Sequence, residues 1–135
     1  MTRKRILIAD DHETMLEEIR GLLDCDHDIV GAVNNGQALV DAARALNPDV
    51  IITDISMPVM NGFEAATRLR ALGLGYKLIF LTVQSGPAYL KKARQLGAHG
   101  YVLKIHAHQQ LPLAVSRVLT GETYVSPELS AQGGH

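Results

Sequence analysis

Cysteine is almost missing from this sequence of 135 residues: Cys25 stands alone. That excludes an internal disulfide framework and a cysteine-built zinc cluster, and it suits a reducing cytosol. Net charge is nearly absent as well. Thirteen lysines and arginines against fourteen aspartates and glutamates leave −1, no electrostatic footprint for nucleic acid or an anionic membrane surface. Long apolar runs are also lacking. The basic start, Met1-Thr2-Arg3-Lys4-Arg5, is followed only by Ile6 to Ala9 before Asp10, so no signal peptide is expected there and no run approaches a membrane span. What is present is a core: 47% of residues are hydrophobic, which excludes a disordered chain, and the length suits one domain.

Short apolar runs alternate with amphipathic stretches. Ile6-Leu7-Ile8-Ala9, Asp28 to Val33, Val50-Ile51-Ile52-Thr53, Leu78 to Val83 and Tyr101-Val102-Leu103 have the length and β-branching of strands buried on both faces. Between them lie helical stripes. Met15, Ile19, Leu22 and Leu23 make the first; Leu39, Val40, Ala43 and Leu46 the second; Phe63, Ala66 and Leu69 the third; Tyr89, Ala93 and Leu96 the fourth; and Leu111, Ala114, Val115, Val118 and Leu119 the fifth. Pro48 stops the second helix, and Ser85-Gly86-Pro87 opens the fourth. Five βα units with short connections predict an α/β fold, an open doubly wound parallel sheet whose site lies at the carboxyl edge of its strands.

That edge is where the polar residues fall. The first strand ends in Asp10-Asp11, the third in Asp54 and the fourth in Thr82, and Lys104 follows the fifth. Any one of these alone reads as a turn residue, a helix cap or a solvated charge. Together they read as a site. If the first and third strands are neighbours, three carboxylates crowd one spot and call for a cation. Oxygen ligands with an open side describe a Mg²⁺ site able to accept a phosphoryl oxygen, beside a hydroxyl donor and a lysine suited to a phosphate.

At this point the chain resembles the receiver domain of bacterial two-component response regulators. The resemblance rests on Asp10-Asp11, the block Asp54-Ile55-Ser56-Met57-Pro58-Val59-Met60-Asn61-Gly62, Thr82, and Gly100-Tyr101-Val102-Leu103-Lys104, in register with all five βα units. It implies a flavodoxin-like (βα)5 fold with five parallel strands in the order 2-1-3-4-5. It also implies that Asp54 is the phosphoacceptor for a sensor histidine kinase. Asp10, Asp11, Asp54 and the Ser56 backbone carbonyl would hold Mg²⁺. Thr82 and Lys104 would bind the phosphoryl group, and Tyr101 would be the aromatic that swings inward when the threonine moves. The output would be a changed surface of the fourth helix, fifth strand and fifth helix, with a possible phosphorylation-dependent homodimer there. Gly62 is expected to serve a tight turn at positive φ.

Two positions depart from the family's pattern. Ile105 follows Lys104 where many receivers have proline, so a trans peptide and a differently shaped loop are expected. Val83 follows Thr82 where the family favours a small residue, which would narrow access to Asp54. Ser56 and Gln84 occupy positions that tune hydrolysis in the family. Residues 1–121 are read as the receiver and 122–135 as a linker or tail. The run from Leu119 to Leu129 resembles the segment that leads to a helix-turn-helix domain in LuxR/NarL (FixJ)-type regulators. DNA would be bound only through such an output domain, and a truncated regulator is favoured over a stand-alone one. The resulting picture is a cytoplasmic signalling switch, not a turnover enzyme.

Competing readings are weaker. A haloacid dehalogenase-like phosphohydrolase would need a second Asp where Ser56 stands, and a flavodoxin-like electron carrier would need a phosphate-binding Ser/Thr-Gly loop where Asp10-Asp11 stand. His12 is expected to face solvent, since Mg²⁺ prefers oxygen. His106 and His108 are spaced to face apart, and Cys25 reads as a small buried or boundary residue. Asp24, Asp26 and Asp28 lack the glycine and terminal glutamate of a calcium loop.

Overall fold

A computed structural model describes residues 3–129. Strands and helices alternate as β1 (Arg5–Ala9), α1 (Glu13–Leu23), β2 (Asp28–Val33), α2 (Gly36–Leu46), β3 (Val50–Thr53), α3 (Gly62–Ala71), β4 (Lys77–Thr82), α4 (Pro87–Gln95), β5 (Gly100–Leu103), a 3₁₀ turn (Lys104–His106), α5 (Ala107–Leu119) and β6 (Tyr124–Val125). The strands pair in parallel in the order β2-β1-β3-β4-β5-β6. The expected order 2-1-3-4-5 holds. The expected count of five strands is corrected to six, because Tyr124 and Val125 pair with Gly100 and Tyr101 beyond β5. Two residues carry too weak a local pattern to announce a strand; pairing with β5 makes them one. The tail from Ser130 to His135 lies outside the described residues.

Side chains along each strand alternate between two cores. Leu7, Ala9, Ile51, Leu78, Phe80, Tyr101 and Leu103 face α2, α3 and α4. Ile6, Ile8, Val50, Ile52, Ile79, Leu81 and Val102 face α1 and α5. Helices thus cover both faces, and the chain reverses its winding between β1 and β3, where an open sheet forms its crevice. Two histidines, His27 buried and His99 half-buried, close the opposite edge. Lys4 N donates to His27 Nδ1 at 3.3 Å and Leu78 N to His99 Nδ1 at 3.0 Å. Burial, aided by Lys77, lowers the His99 pKa and so keeps Nδ1 an acceptor.

Local chemistry sets the helix ends. Asn35 Oδ1 accepts from Ala38 N at 2.8 Å, and left-handed Asn47 (φ 48°) ends α2 ahead of Pro48. Asn61 and Glu64 form a reciprocal capping box at α3, with bonds of 2.8 and 3.0 Å. Pro87 occupies the first turn of α4. In α4 the buried stripe is Leu90 and Ala93, while Tyr89, expected to face inward, is exposed. Cys25 is likewise corrected: it is exposed, in the turn after α1.

Gly62 is required for a reason other than the one expected. Its φ is not positive; a Cβ there would sit 2.1 Å from the Asp54 carbonyl oxygen. Its amide donates to the Ile55 carbonyl at 2.7 Å, drawing the start of α3 against the end of β3. The left-handed residue of this loop is Val59 (φ 70°), the centre of a tight turn in which Met60 N donates to Pro58 O at 2.7 Å. Met60 O in turn accepts from Gly36 N at 2.9 Å, where a Cβ would clash at 2.1 Å.

Gly62→Ala is expected to lower unfolding stability by about 3 kcal/mol, since the obstructing atom is backbone and cannot rotate away. Gly21→Ala, in α1 with nothing within 4 Å of the new Cβ, is expected to gain about 0.5–1 kcal/mol. Urea denaturation of the two variants beside the parent measures both.

Candidate functional site

The carboxyl ends of β1, β3 and β5 converge on one ammonium group. Lys104 Nζ lies 2.7 Å from Asp10 Oδ2 and 2.7 Å from Asp54 Oδ2, bridging the ends of β1 and β3 from the far side of β4. Both aspartates are buried, at 1% and 4% exposure. Asp54 Oδ1 accepts from the Ile55 amide at 2.7 Å, so this carboxylate is held at both oxygens. Asp10 Oδ1 accepts from the His12 amide at 2.9 Å. Its Oδ2 touches Lys104 without hydrogen-bond geometry, and is the one buried side-chain oxygen or nitrogen among the described residues with no hydrogen-bond partner.

Opposing effects act on Lys104. Burial pulls its pKa down, but the carboxylates of Asp10 and Asp54 outweigh burial and the net shift is upward. The lysine therefore stays charged beyond its ordinary range.

Asp11 is exposed at the mouth of the site. His12, expected to face solvent, does so, yet its Nδ1 lies 3.1 Å from both Asp10 Oδ1 and Asp11 Oδ1. Ligand-capable atoms of Asp10, Asp11 and His12 lie within 4.8 Å of one another. Ser56 is exposed in the loop after Asp54. Three carboxylates share one ammonium at this edge, and an excess of carboxylate oxygens over positive charge is the chemistry a hard divalent cation satisfies, so the residues present fit Mg²⁺.

Thr82 is fully buried at the end of β4, and its Oγ1 accepts from the Gln84 amide at 3.2 Å. The Tyr101 hydroxyl donates to the Gln84 carbonyl at 2.6 Å, with its ring inside the core. Gln84 thereby ties Thr82 to Tyr101 through its own backbone. The identity of residue 84 does not signal this link, because Gln84 contributes only main-chain atoms to both contacts. Burial, then Tyr89 and Asp54, raise the Tyr101 pKa, so the hydroxyl remains a donor.

Three exposed apolar residues surround this edge: Val59 (83%), Val83 (68%) and Ile105 (85%), one in each loop after β3, β4 and β5. Val83 lines an open groove of about 460 Å³ with His12, Thr14, Met15, Glu18 and Lys104, flanking the entrance rather than filling it. No peptide among the described residues is cis, so Lys104–Ile105 is trans as expected. His106 and His108 face apart, toward Glu128 and Glu18 respectively.

The response regulator receiver domain profile matches residues 6–116. The chain belongs to the response regulator receiver family. Among curated proteins, this receiver is 38% identical over 128 residues to the uncharacterized transcriptional regulatory protein YvfU of Bacillus subtilis, covering 93% of this chain and 64% of that one. It is 37% identical over 126 residues to the transcriptional regulatory protein DesR of the same organism, covering 92% and 62%. The chain thus spans less than two thirds of the length of these relatives. The isolated receiver of RcsB from Salmonella enterica serovar Typhimurium, solved with phosphomimetic BeF₃⁻, superposes with a TM-score of 0.89 at 29% identity, covering 96% of this chain and 98% of that one. A LuxR-family two-component regulator from Aurantimonas sp. SI85-9A1 gives 0.91 at 28%, covering 98% and 95%. The receiver is of the NarL/LuxR type, a signalling family. No described helix is long and apolar enough to cross a membrane.

Lys104→Met is expected to destabilise the metal-free receiver by about 3 kcal/mol at neutral pH, because two buried carboxylates lose their cation. With its folded pKa raised above the unfolded value, Lys104 contributes fully below the ordinary lysine pKa. The gap between parent and variant should therefore hold from neutral pH to about pH 10 and close only above that. Denaturation in chelator across this range reads it.

Proposed function

We propose that this receiver is the phosphoacceptor switch of a two-component system, in which Asp54 takes a phosphoryl group from the phosphohistidine of a sensor kinase. The observation that carries the reading is the buried Asp54 carboxylate, oriented by the Ile55 amide and the Lys104 ammonium at 2.7 Å each. An Asp54 oxygen forms the new bond to phosphorus as the nitrogen–phosphorus bond breaks and its electron pair stays with the histidine. The protein's part is to position groups and supply compensating charge. Lys104 neutralises a phosphoryl oxygen, and the Thr82 hydroxyl, whose oxygen accepts from the Gln84 amide, donates its hydrogen to another. Asp10, Asp11, Asp54 and the Ser56 carbonyl would hold Mg²⁺, with His12 adjacent. When bound, the ion would offset charge on the acidic cluster and phosphoryl oxygens.

The product is an acyl phosphate that hydrolyses and resets the switch, so the domain assists its own chemistry without being a turnover enzyme. Through Gln84, a shift of Thr82 reaches Tyr101 and the α4–β5–α5 surface, biasing an equilibrium between two states. A phosphorylation-dependent homodimer would use that surface. Residues 1–121 act as the cytoplasmic receiver, and 122–135 lead toward an output domain in a longer regulator. The greater length of the relatives and their names as transcriptional regulators support transcription as the output, with DNA bound by that further domain.

Incubation with acetyl phosphate and Mg²⁺ should add one labile phosphate per chain by intact mass, and none to Asp54→Asn or in chelator. Equal labelling of Asp54→Asn would overturn the assignment, and multiple turnover of a phosphate ester would point to a hydrolase instead.

A further inference from the structure

We infer that the segment Tyr124–Leu129 is a built-in reporter of the phosphorylation state: its docking on β5 is coupled to the inward position of Tyr101, so that phosphorylation tightens the segment and the docked segment favours phosphorylation. This rests on the reading of Asp54 as phosphoacceptor and extends it to a part of the chain that the site does not contain.

Three kinds of contact hold the segment. The first is backbone pairing: Tyr124 N donates to His99 O at 3.0 Å, and Ser126 N to Tyr101 O at 2.9 Å. The second is a buried polar clamp. Ser126, fully buried, accepts at Oγ from the Leu103 amide at 3.0 Å and donates to Gln110 Oε1 of α5 at 2.5 Å. Gln110 Nε2 then donates to Glu128 at 3.0 Å, tying the segment to α5. The third is apolar: Leu129 is buried in the same core as Tyr101, Leu103, Leu90 and Ala93, with Val125 packed against it.

These anchors fall on the residues the switch uses. Tyr101 supplies the carbonyl that Ser126 binds and the ring in the core that Leu129 enters. Leu103, whose amide donates to Ser126, immediately precedes Lys104. A half-open pocket of about 70 Å³ between α4 and β6 is bordered by Leu90, Ala93, Tyr101, Tyr124 and Val125, so Tyr101 and the segment border the same space. A tyrosine that left this core would remove a wall from the pocket of Leu129 and Val125. Conversely, Leu129 and β6 hold β5 in the arrangement that keeps the ring inside. The Tyr101 hydroxyl reaches Thr82 through Gln84, which completes the path from the phosphoryl group to the segment. Coupling of this kind is reciprocal: whatever phosphorylation does to docking, docking does to phosphorylation.

The test is amide hydrogen exchange at Tyr124 and Ser126 in the full chain, with and without beryllofluoride and Mg²⁺. Exchange there is expected to slow about fivefold or more on addition, the lower end of ordinary coupling. Ser126→Ala and Leu129→Ala should weaken beryllofluoride affinity by a similar factor while leaving Asp54 and its contacts untouched. If beryllofluoride binds the parent in an Asp54-dependent way but exchange at both amides is unchanged, the coupling is refuted and the phosphoacceptor reading stands. The coupling is equally refuted if both variants fold and bind beryllofluoride as the parent does. If beryllofluoride binds the parent no better than Asp54→Asn, the phosphoacceptor reading fails and the coupling with it. The parent comparison alone decides the matter should a variant not fold.

Discussion

Two buried carboxylates at the ends of adjacent strands are tolerable only with a cation between them, and Lys104 is that cation. At the short separation of Asp10 and Asp54 from a common ammonium, each carboxylate gains several times what the same contact would give in water, because little solvent reaches it. The fold is arranged to allow this. β1 and β3 lie side by side because the chain reverses its winding there, and β5 lies two strands from β3, a span the four-carbon stem of a lysine crosses. A shorter cationic side chain after β5 would not reach both acids, and strand order 1-2-3 would have separated them.

Backbone approaches hold Asp54 as charges do. Gly62 lets α3 start against the Asp54 carbonyl, and Gly36 lets α2 start against the Met60 carbonyl. Between these two contacts the loop bends through Val59 in a conformation that β-branched residues rarely adopt. Such strain persists only where surroundings over-determine it, and here both ends of the loop are pinned. The result is an Asp54 main chain held tightly against the start of α3.

Legibility in the sequence follows the range of the interactions. β3 is readable to the residue, Val50 to Thr53, because a buried strand between turn signals is written locally. The polar edge is readable because each of Asp10, Asp54, Thr82 and Lys104 sits at or just past the end of an apolar run. The sixth strand is not, since Tyr124 and Val125 become a strand only by lying beside β5. The reason for Gly62 is also hidden: positive φ and close approach leave the same residue in the sequence and differ only in space. In α4, Tyr89 and Leu90 are both apolar neighbours, and only the position of the helix over β4 and β5 decides which is buried. The Gln84 link is invisible because it uses main-chain atoms that every residue possesses.

A near-neutral total conceals a strongly uneven distribution, and under the proposed function that unevenness would power the switch. Around Lys104 stand Asp10, Asp54 and, at the mouth, Asp11, so the cluster is under-neutralised before any phosphoryl group arrives. Phosphorylation of Asp54, under the proposed function, would exchange one carboxylate charge for a group carrying about −1.5 to −2. The imbalance grows in a place where water screens it poorly. The excess would be met by donors drawn toward the phosphoryl oxygens, and the Thr82 oxygen, which accepts from the Gln84 amide at 3.2 Å, keeps its hydrogen free to donate. Lys104 is fixed by two carboxylates and the Ile55 amide by the strand it follows. The free donor is therefore the one joined through Gln84 to Tyr101, and under the proposed function electrostatic demand at the edge would be converted into packing at β5.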